Sequence, residues 1–156
     1  PALAWLAGST YARDWDEFRI LAVAAIVLLP VAWLLGRNVD LLSFGDHVSL
    51  GLGLRLQRVR LLTALVGVVI AGIAVANVGT VGFIGLLAPH MVRLFIGQNF
   101  RQSVVLSALL GAVLLAAADI VGKTVIAPKE IPSGLVVALI GTPYLLVLMY
   151  RSAFRK

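Results

Sequence analysis

The sequence VGTVGFIGLLAPHMVRLFIG, residues Val78–Gly97, decides the fold of this chain. It continues an apolar run that begins at Leu61, and no charged residue occurs between Arg60 and His90. One helix of those 29 residues would be about 43 Å long at about 1.5 Å per residue, whereas a bilayer core is about 30 Å thick. The run must therefore break, and the break is predicted at Asn77–Gly79, where asparagine and glycine favour a turn.

The overall composition is that of a membrane protein. Of the 156 residues 61% are hydrophobic and 13% are charged, and the mean hydropathy is +1.04. A soluble domain of this size cannot bury so much apolar surface, so we predict an integral protein in contact with the lipid bilayer. A net charge of +6 would indicate nucleic-acid binding in a soluble chain; here we interpret it as membrane topology and expect no nucleic-acid partner.

Five uncharged stretches predict an all-α, polytopic transmembrane helix bundle. The expected spans are residues 20–36, 61–76, 78–97, 103–121 and 135–150, with a polar loop at about residues 38–58. The chain has no cysteine, which excludes disulfides and thiolate metal sites. It begins at Pro1 with no signal-peptide pattern, and we expect a longer N-terminal part to precede it.

The distribution of basic residues predicts which loops share a side of the membrane. If all five stretches cross, nine of the thirteen basic residues fall on one side, and the positive-inside rule then places the C-terminus in the cytoplasm. If residues 78–97 instead formed a re-entrant loop, the division would be a weaker seven to six. The nine are Arg37, Arg55, Arg58, Arg60, Arg93, Arg101, Arg151, Arg155 and Lys156.

The polar loop allows two interpretations. Gly45-Asp46-His47-Val48-Ser49-Leu50-Gly51-Leu52-Gly53 combines a short amphipathic stretch with glycine stops, which is more than a simple connector needs. The loop could dock a soluble partner. Alternatively, it could lie on the lipid headgroups, with its arginines facing anionic lipid.

The remaining polar residues favour structural roles. His90 has neither a second histidine nor a carboxylate nearby in the sequence, so we interpret it as a structural residue beside Pro89 and not as a metal ligand. Asp119 precedes Lys123 by four residues, the spacing of an ion pair on one helix face. No nucleophile triad, phosphate loop or cofactor fingerprint occurs, so we expect no enzymatic activity. Close helix packing is predicted at Gly67, Gly72, Gly79, Gly82, Gly85 and Gly111.

Several of these stretches together resemble the FecCD-type permeases, the membrane subunits of ATP-binding-cassette importers for iron-siderophores, haem and cobalamin. Gly82-Phe83-Ile84-Gly85-Leu86, then Pro89-His90 and Arg93, resembles the family signature. Gly45-Asp46, Ser49 and Leu52-Gly53 resemble the cytoplasmic coupling loop, although the family usually has Glu and Ala where this chain has Asp46 and Ser49. Further matches are Trp5-Leu6 with Gly8-Ser9, Ala118-Asp119-Ile120, Ile131-Pro132-Ser133-Gly134 and Gly141-Thr142-Pro143-Tyr144.

The resemblance implies a fold and a set of partners. Family members have about ten spans, so this chain resembles the C-terminal half of one permease domain of a type II importer. Two permease subunits would enclose a path and two ATPase subunits, which carry the ATP and Mg²⁺, would bind the coupling loops. An extracytoplasmic binding protein would deliver the cargo. No cofactor would be bound by this chain itself.

The resemblance also assigns roles to individual residues. Gly45, Asp46, Ser49, Leu52 and Gly53 would contact the ATPase, and Lys123 would face an acidic residue of the binding protein. Gly8, Ser9 and Thr10 would line and gate the path. Gly82, Phe83, Gly85, Pro89, His90 and Arg93 would be architectural.

Two other functional classes stay open. An ion-gradient-driven secondary transporter would usually bury ionisable residues near the middle of the membrane, and the uncharged interiors of the five spans disfavour that class. A purely structural subunit of a membrane assembly would make the coupling loop dispensable. The cargo, and whether the permease dimer is made of identical subunits, are not readable from these motifs.

Overall fold

The computed structural model describes residues 3, 6–10, 13–51, 53 and 55–154; of residues 46 and 49 it describes the backbone alone. The all-α prediction is confirmed, since the described residues form helices and connections and no strand. The helices are α1 (Trp15–Leu42), α2 (Asp46–Gly51), α3 (Leu56–Val78), α4 (Ile84–Ile96), α5 (Phe100–Val125) and α6 (Ser133–Ala153).

Four of the helices, α1, α3, α5 and α6, are long and apolar enough to cross a membrane. Most of their large apolar side chains face outward, as expected for helices surrounded by lipid or by further protein. The buried core is small and lies where α4, α5 and α6 meet. It contains Leu87, Ala118, Val136 and Val137, with Phe83, Ile84, Ile131 and Tyr144 packed around them.

The helices extend beyond the uncharged stretches that predict them. Helix α1 begins at Trp15, where Glu17 accepts a hydrogen bond from the Asp14 backbone N–H at 2.9 Å, and it continues six residues past Gly36. The predicted loop is correspondingly shorter, because α3 already begins at Leu56. Charged residues at a helix end can reach water or headgroups with their long side chains, so a charge does not mark the end of the helix.

The predicted break in the central stretch is present, but the stretch that follows is not one helix. Helix α3 ends at Val78, and Gly79, with φ of 82°, closes it by donating its N–H to the Val75 carbonyl at 2.9 Å. Residues 79–83 are non-helical, and α4 begins only at Ile84. At 13 residues, α4 is about 20 Å long, so the predicted span 78–97 consists of a non-helical entry and a short helix.

Contacts between distant residues show that residues 79–99 return along the bundle. The Ser9 N–H donates to the Val78 carbonyl at 3.0 Å, and the neighbouring Thr10 hydroxyl donates to Asp119. The C-terminal ends of α3 and α5 therefore lie at the same end of the bundle, and both helices run in the same direction. The chain between them must therefore run back to the opposite end of the bundle. This agrees with the topology of five crossings, whereas a re-entrant loop would return to the end at which it started.

The two ends of the bundle differ in composition. We call the end formed by residues 6–10, 78–83 and 119–134 the glycine end. We call the end formed by residues 37–60 and 97–103, which contains five arginines, the arginine end. Helix α2 lies at the arginine end.

Candidate functional site

The short helix α2 is set off from the bundle by two glycine turns. Gly45, with φ of 100°, precedes its first residue, Asp46, and Gly53, with φ of 77°, follows it. The Gly53 N–H donates to the Leu50 carbonyl at 3.0 Å, which closes the second turn. The predicted loop residues thus form one compact unit, although Leu52 lies outside the described residues and only the backbone of Asp46 and Ser49 is described.

The surface around α2 is apolar and exposed. Phe44 is 68% exposed, Val48 52% and Leu50 58%. Exposed apolar residues that cluster on a short projecting helix are typical of a surface that another protein or a membrane covers. The geometry is thus suited to docking.

Residues 8–10 lie inside the glycine end. The Gly8 carbonyl accepts the backbone N–H of Gly134 at 2.9 Å, and the Thr80 hydroxyl donates to the Leu6 carbonyl. Gly8 has φ of 71°, a conformation that residues with side chains rarely adopt, and its Cβ would lie 3.0 Å from Val81. The segment is therefore fixed between the end of α3 and the start of α6.

Asp119 connects this segment to Lys123. Its Oδ1 accepts the Thr10 hydroxyl, and its Oδ2 accepts Nζ of Lys123 at 2.7 Å. The predicted pairing of Asp119 with Lys123 on one helix face is present. The Lys123 side chain is 48% exposed, so its charge lies at the surface of the glycine end.

The motif of residues 82–93 begins with a close contact between α4 and α6. Phe83 has φ of 66° and lies directly against Gly141, where a Cβ would come within 2.7 Å of the Phe83 Cβ. Further along α4, the ring of His90 meets that of Tyr144 edge-on, with 6.1 Å between the centroids. Arg93 is exposed in the last turn of α4.

Close packing is found mainly at glycines other than those predicted, and for Gly79 it stays a prediction. At Gly67, Gly72, Gly82 and Gly85 a Cβ would meet no described atom within 4 Å, and at Gly111 it would make only ordinary contact with Ile84 and Ala88. The tight positions are instead at Gly36, Gly122, Gly134 and Gly141. At Gly134 a Cβ would collide with the Ala7 carbonyl, and at Gly122 it would lie 2.5 Å from the Ile131 carbonyl.

Sequence reasoning missed a cluster at the arginine end. Asp40 of α1 accepts the backbone N–H of Phe100 at 2.6 Å and so caps the start of α5. Next to it, the Arg101 guanidinium lies over the Trp33 ring, 3.8 Å from the centroid. The partners of the two contacts are 60 and 68 residues apart in sequence, so no local pattern could have identified them.

Comparison with known proteins agrees with this architecture. Residues 1–151 match the sequence profile of the FecCD transport family. The chain belongs to this family.

Several curated proteins that are similar to this chain are permease proteins of iron import systems. The chain is 43% identical to the Fe(3+)-citrate import system permease protein YfmE of Bacillus subtilis, over 95% of this chain and 44% of the relative. It is 40% identical to the iron(3+)-hydroxamate import system permease protein FhuB of the same organism, over 94% of this chain and 38% of the relative. It is 37% identical to the Fe(3+) dicitrate transport system permease protein FecD of Escherichia coli, over 96% of this chain and 47% of the relative.

A solved structure has the same fold. It is described as an inward-facing conformation of a metal-chelate type ABC transporter, and it matches with a TM-score of 0.87 at 28% identity. The match covers 96% of this chain and 48% of the solved one. This FecCD-family chain therefore spans about half the length of the relatives that it matches.

Proposed function

We propose that this chain is the C-terminal half of the transmembrane permease domain of an ATP-binding-cassette importer. The importer moves a ferric siderophore, or a related iron or tetrapyrrole chelate, across the bacterial cytoplasmic membrane. A separate subunit binds ATP and Mg²⁺ and hydrolyses the ATP. The observation that carries the proposal is helix α2, which stands between two glycine turns with Phe44, Val48 and Leu50 exposed beside it.

Helix α2 is the element that contacts the ATPase in this proposal. Gly45 and Gly53 give it fixed turns, and Asp46, Ser49 and Leu52 supply its contacts. Closure of the ATPases around ATP displaces α2, and α2 connects α1 directly to α3. A displacement of α2 is passed to both long helices and shifts the bundle between inward- and outward-facing states, as a rigid-body switch does.

The glycine end carries the opposite partner. Lys123, half exposed and paired with Asp119, meets an acidic residue of an extracytoplasmic binding protein. Gly8, Ser9 and Thr10 line the translocation path, which is completed by a second permease subunit. The proposed path segment and the proposed docking charge share a partner, because Thr10 and Lys123 both bond to Asp119.

The orientation follows from the charges at the two ends. The arginine end faces the cytoplasm, together with the C-terminal tail, and the glycine end faces outward. Helices α3 and α5 run in the same direction, so the loops before them, which carry the arginines, lie at the same end of the bundle. This supports the assignment, because the positive-inside rule places such loops in the cytoplasm.

The test is copurification of the full-length protein, in detergent, with the ATPase encoded beside it. We compare the wild type with Asp46→Arg and with the control Asp16→Arg, which reverses an exposed acid at the other end of α1. We expect a stoichiometric complex with the wild type and the control and none with Asp46→Arg, because the reversed charge lies in the contact. A complex that survives Asp46→Arg contradicts the assignment of α2, and no complex in any sample favours an ion-gradient-driven transporter.

A further inference from the structure

Two cavities that share the lining residue Trp33 lie side by side between α1 and α5, and we describe them together as one groove that ends at the arginine end. Its deeper part is apolar, about 400 Å³ in volume, and is lined by Leu29, Pro30, Ala108 and Leu109 among others. Its outer part is polar, about 480 Å³, and includes Arg37, Asp40, Asn99, Arg101 and Gln102. Trp33 lines both parts and marks the boundary between them.

The polar part is shaped by the packing of Arg101 on α1. Gly36 has no side chain, and a Cβ there would lie 2.6 Å from the Arg101 Cγ. The stem of Arg101 occupies this space and brings the guanidinium carbon over the Trp33 ring, at 3.8 Å from the centroid. Arg101 is therefore held at the boundary of the groove and does not extend freely into solvent.

The polar part has an excess of positive charge. It contains two arginines and one carboxylate, and Asp40 directs that carboxylate at the backbone N–H of Phe100. Neither Arg37 nor Arg101 belongs to an ion pair among the residues that the structure describes. The Nε of Arg101 is also buried and lacks a hydrogen-bond partner in the described part of the chain. Guanidinium groups bind phosphate oxygens strongly, through hydrogen bonds assisted by charge.

The apolar part determines what kind of anion fits. Leu29, Trp33 and Arg37 follow each other at four-residue spacing on α1, so the change from apolar to basic lining occurs over about 12 Å. A free phosphate would leave the apolar part unused, and a fatty chain alone would leave the arginines without an anion. A molecule with an anionic head and hydrocarbon chains satisfies both parts. Tryptophan, which here lies at the boundary between them, is typically found at the level of the lipid headgroups.

We propose that this groove binds one anionic phospholipid. Its phosphate lies between Arg37 and Arg101, and one acyl chain lies along Leu29, Pro30, Ala108 and Leu109. The lipid joins α1 to α5 beside the loop that carries α2. This inference depends on the membrane location of the chain and not on its transport activity.

The test uses the full-length protein, delipidated in detergent and titrated with phosphatidylglycerol or phosphatidylcholine under native mass spectrometry. We expect one phosphatidylglycerol to be retained per chain, roughly tenfold more tightly than phosphatidylcholine, because the choline ammonium cancels the negative charge that the two arginines attract. The double variant Arg37→Gln/Arg101→Gln loses this preference. The control is Arg151→Gln, which removes an exposed arginine outside the groove. We expect this variant to keep the preference for phosphatidylglycerol.

A second pair of variants tests the apolar part and does not depend on the arginines. Ala108→Phe fills the groove and reduces retention of phosphatidylglycerol, whereas Ala117→Phe, an exposed position nine residues on and therefore on the opposite side of α5, does not. Equal retention by all variants overturns the proposal and indicates that another part of the full-length protein covers the groove. Equally tight binding of glycerol phosphate, which has no acyl chain, also overturns it, because the site would then be one for soluble anions.

Discussion

The glycine end and the arginine end hold their segments together in different ways. At the glycine end, backbone lies directly on backbone: the Gly134 N–H donates to Gly8, and a Cβ on Gly134 would collide with Ala7. At the arginine end, side chains make the contacts, with the Asp40 carboxylate on the N–H of Phe100 and Arg101 on Trp33. At Gly8, Gly122 and Gly134 the glycine end has no room for added atoms, whereas the arginine end contains a groove of several hundred Å³.

The difference indicates how each end tolerates movement. Contacts between backbone atoms leave two segments little freedom to shift, because neither side can adopt another rotamer. Contacts through long side chains can follow a shift of the helices. We therefore expect the glycine end to behave as a rigid unit and the arginine end, which carries α2, to be the adaptable part.

The largest expected effect is that of Gly134→Ala, which adds a methyl group where the Ala7 and Gly8 carbonyls lie. Overpacking typically costs about 1–3 kcal/mol, and we expect the upper part of that range because the obstacle is backbone and cannot rotate away. The free energy of unfolding in detergent micelles measures this loss. The control is Gly67→Ala, where a Cβ meets no described atom within 4 Å; the rigid-end interpretation fails if both substitutions have the same effect.

A smaller effect is expected at the arginine end, from Asp40→Ala. Loss of a side-chain cap costs about 1 kcal/mol, and here the cap also joins α1 to α5 across 60 residues. The melting temperature in detergent should fall slightly, while that of Asp16→Ala, which removes an exposed acid, should not change. A loss as large as that of Gly134→Ala would contradict the contrast between the two ends.

The smallest effect on stability is expected from Lys123→Glu, because Lys123 is half exposed and pairs with its neighbour on the same helix. Its effect on binding should be clear: association with the binding protein slows, and the slowing diminishes as salt is added. Surface plasmon resonance on the full-length protein measures both rates, with Arg151→Glu at the other end as the control. An unchanged association rate at low salt would exclude Lys123 from the docking surface.

The sequence was sufficient to predict the features that local chemistry determines. The uncharged run had to break because of its length, and glycine and asparagine marked the place, so α3 ends at Val78. The four-residue spacing of Asp119 and Lys123 likewise predicted their contact. The resemblance of residues 82–93 and of the α2 loop to the family pattern led to the correct family.

Features that depend on distant partners could not be predicted in this way. The late start of α4 accompanies the contact of Phe83 with Gly141, which lies 58 residues away in sequence. The choice of tightly packed glycines has the same origin, because Gly134 differs from Gly67 only in what the fold places beside it. The cap by Asp40 and the stacking of Arg101 on Trp33 also join residues with no pattern between them.

The interruption at residues 79–83 has a consequence for how the protein is made. A helix of 13 residues is about 20 Å long and is too short to be inserted into a bilayer as an independent segment. The non-helical residues before it carry backbone groups that lipid cannot satisfy, and the apolar side of α4 packs on α5 and α6 through Leu87, Ala118, Val136 and Val137. We therefore expect α4 to remain near the insertion machinery until α5 and α6 have been synthesised, and to enter the membrane together with them.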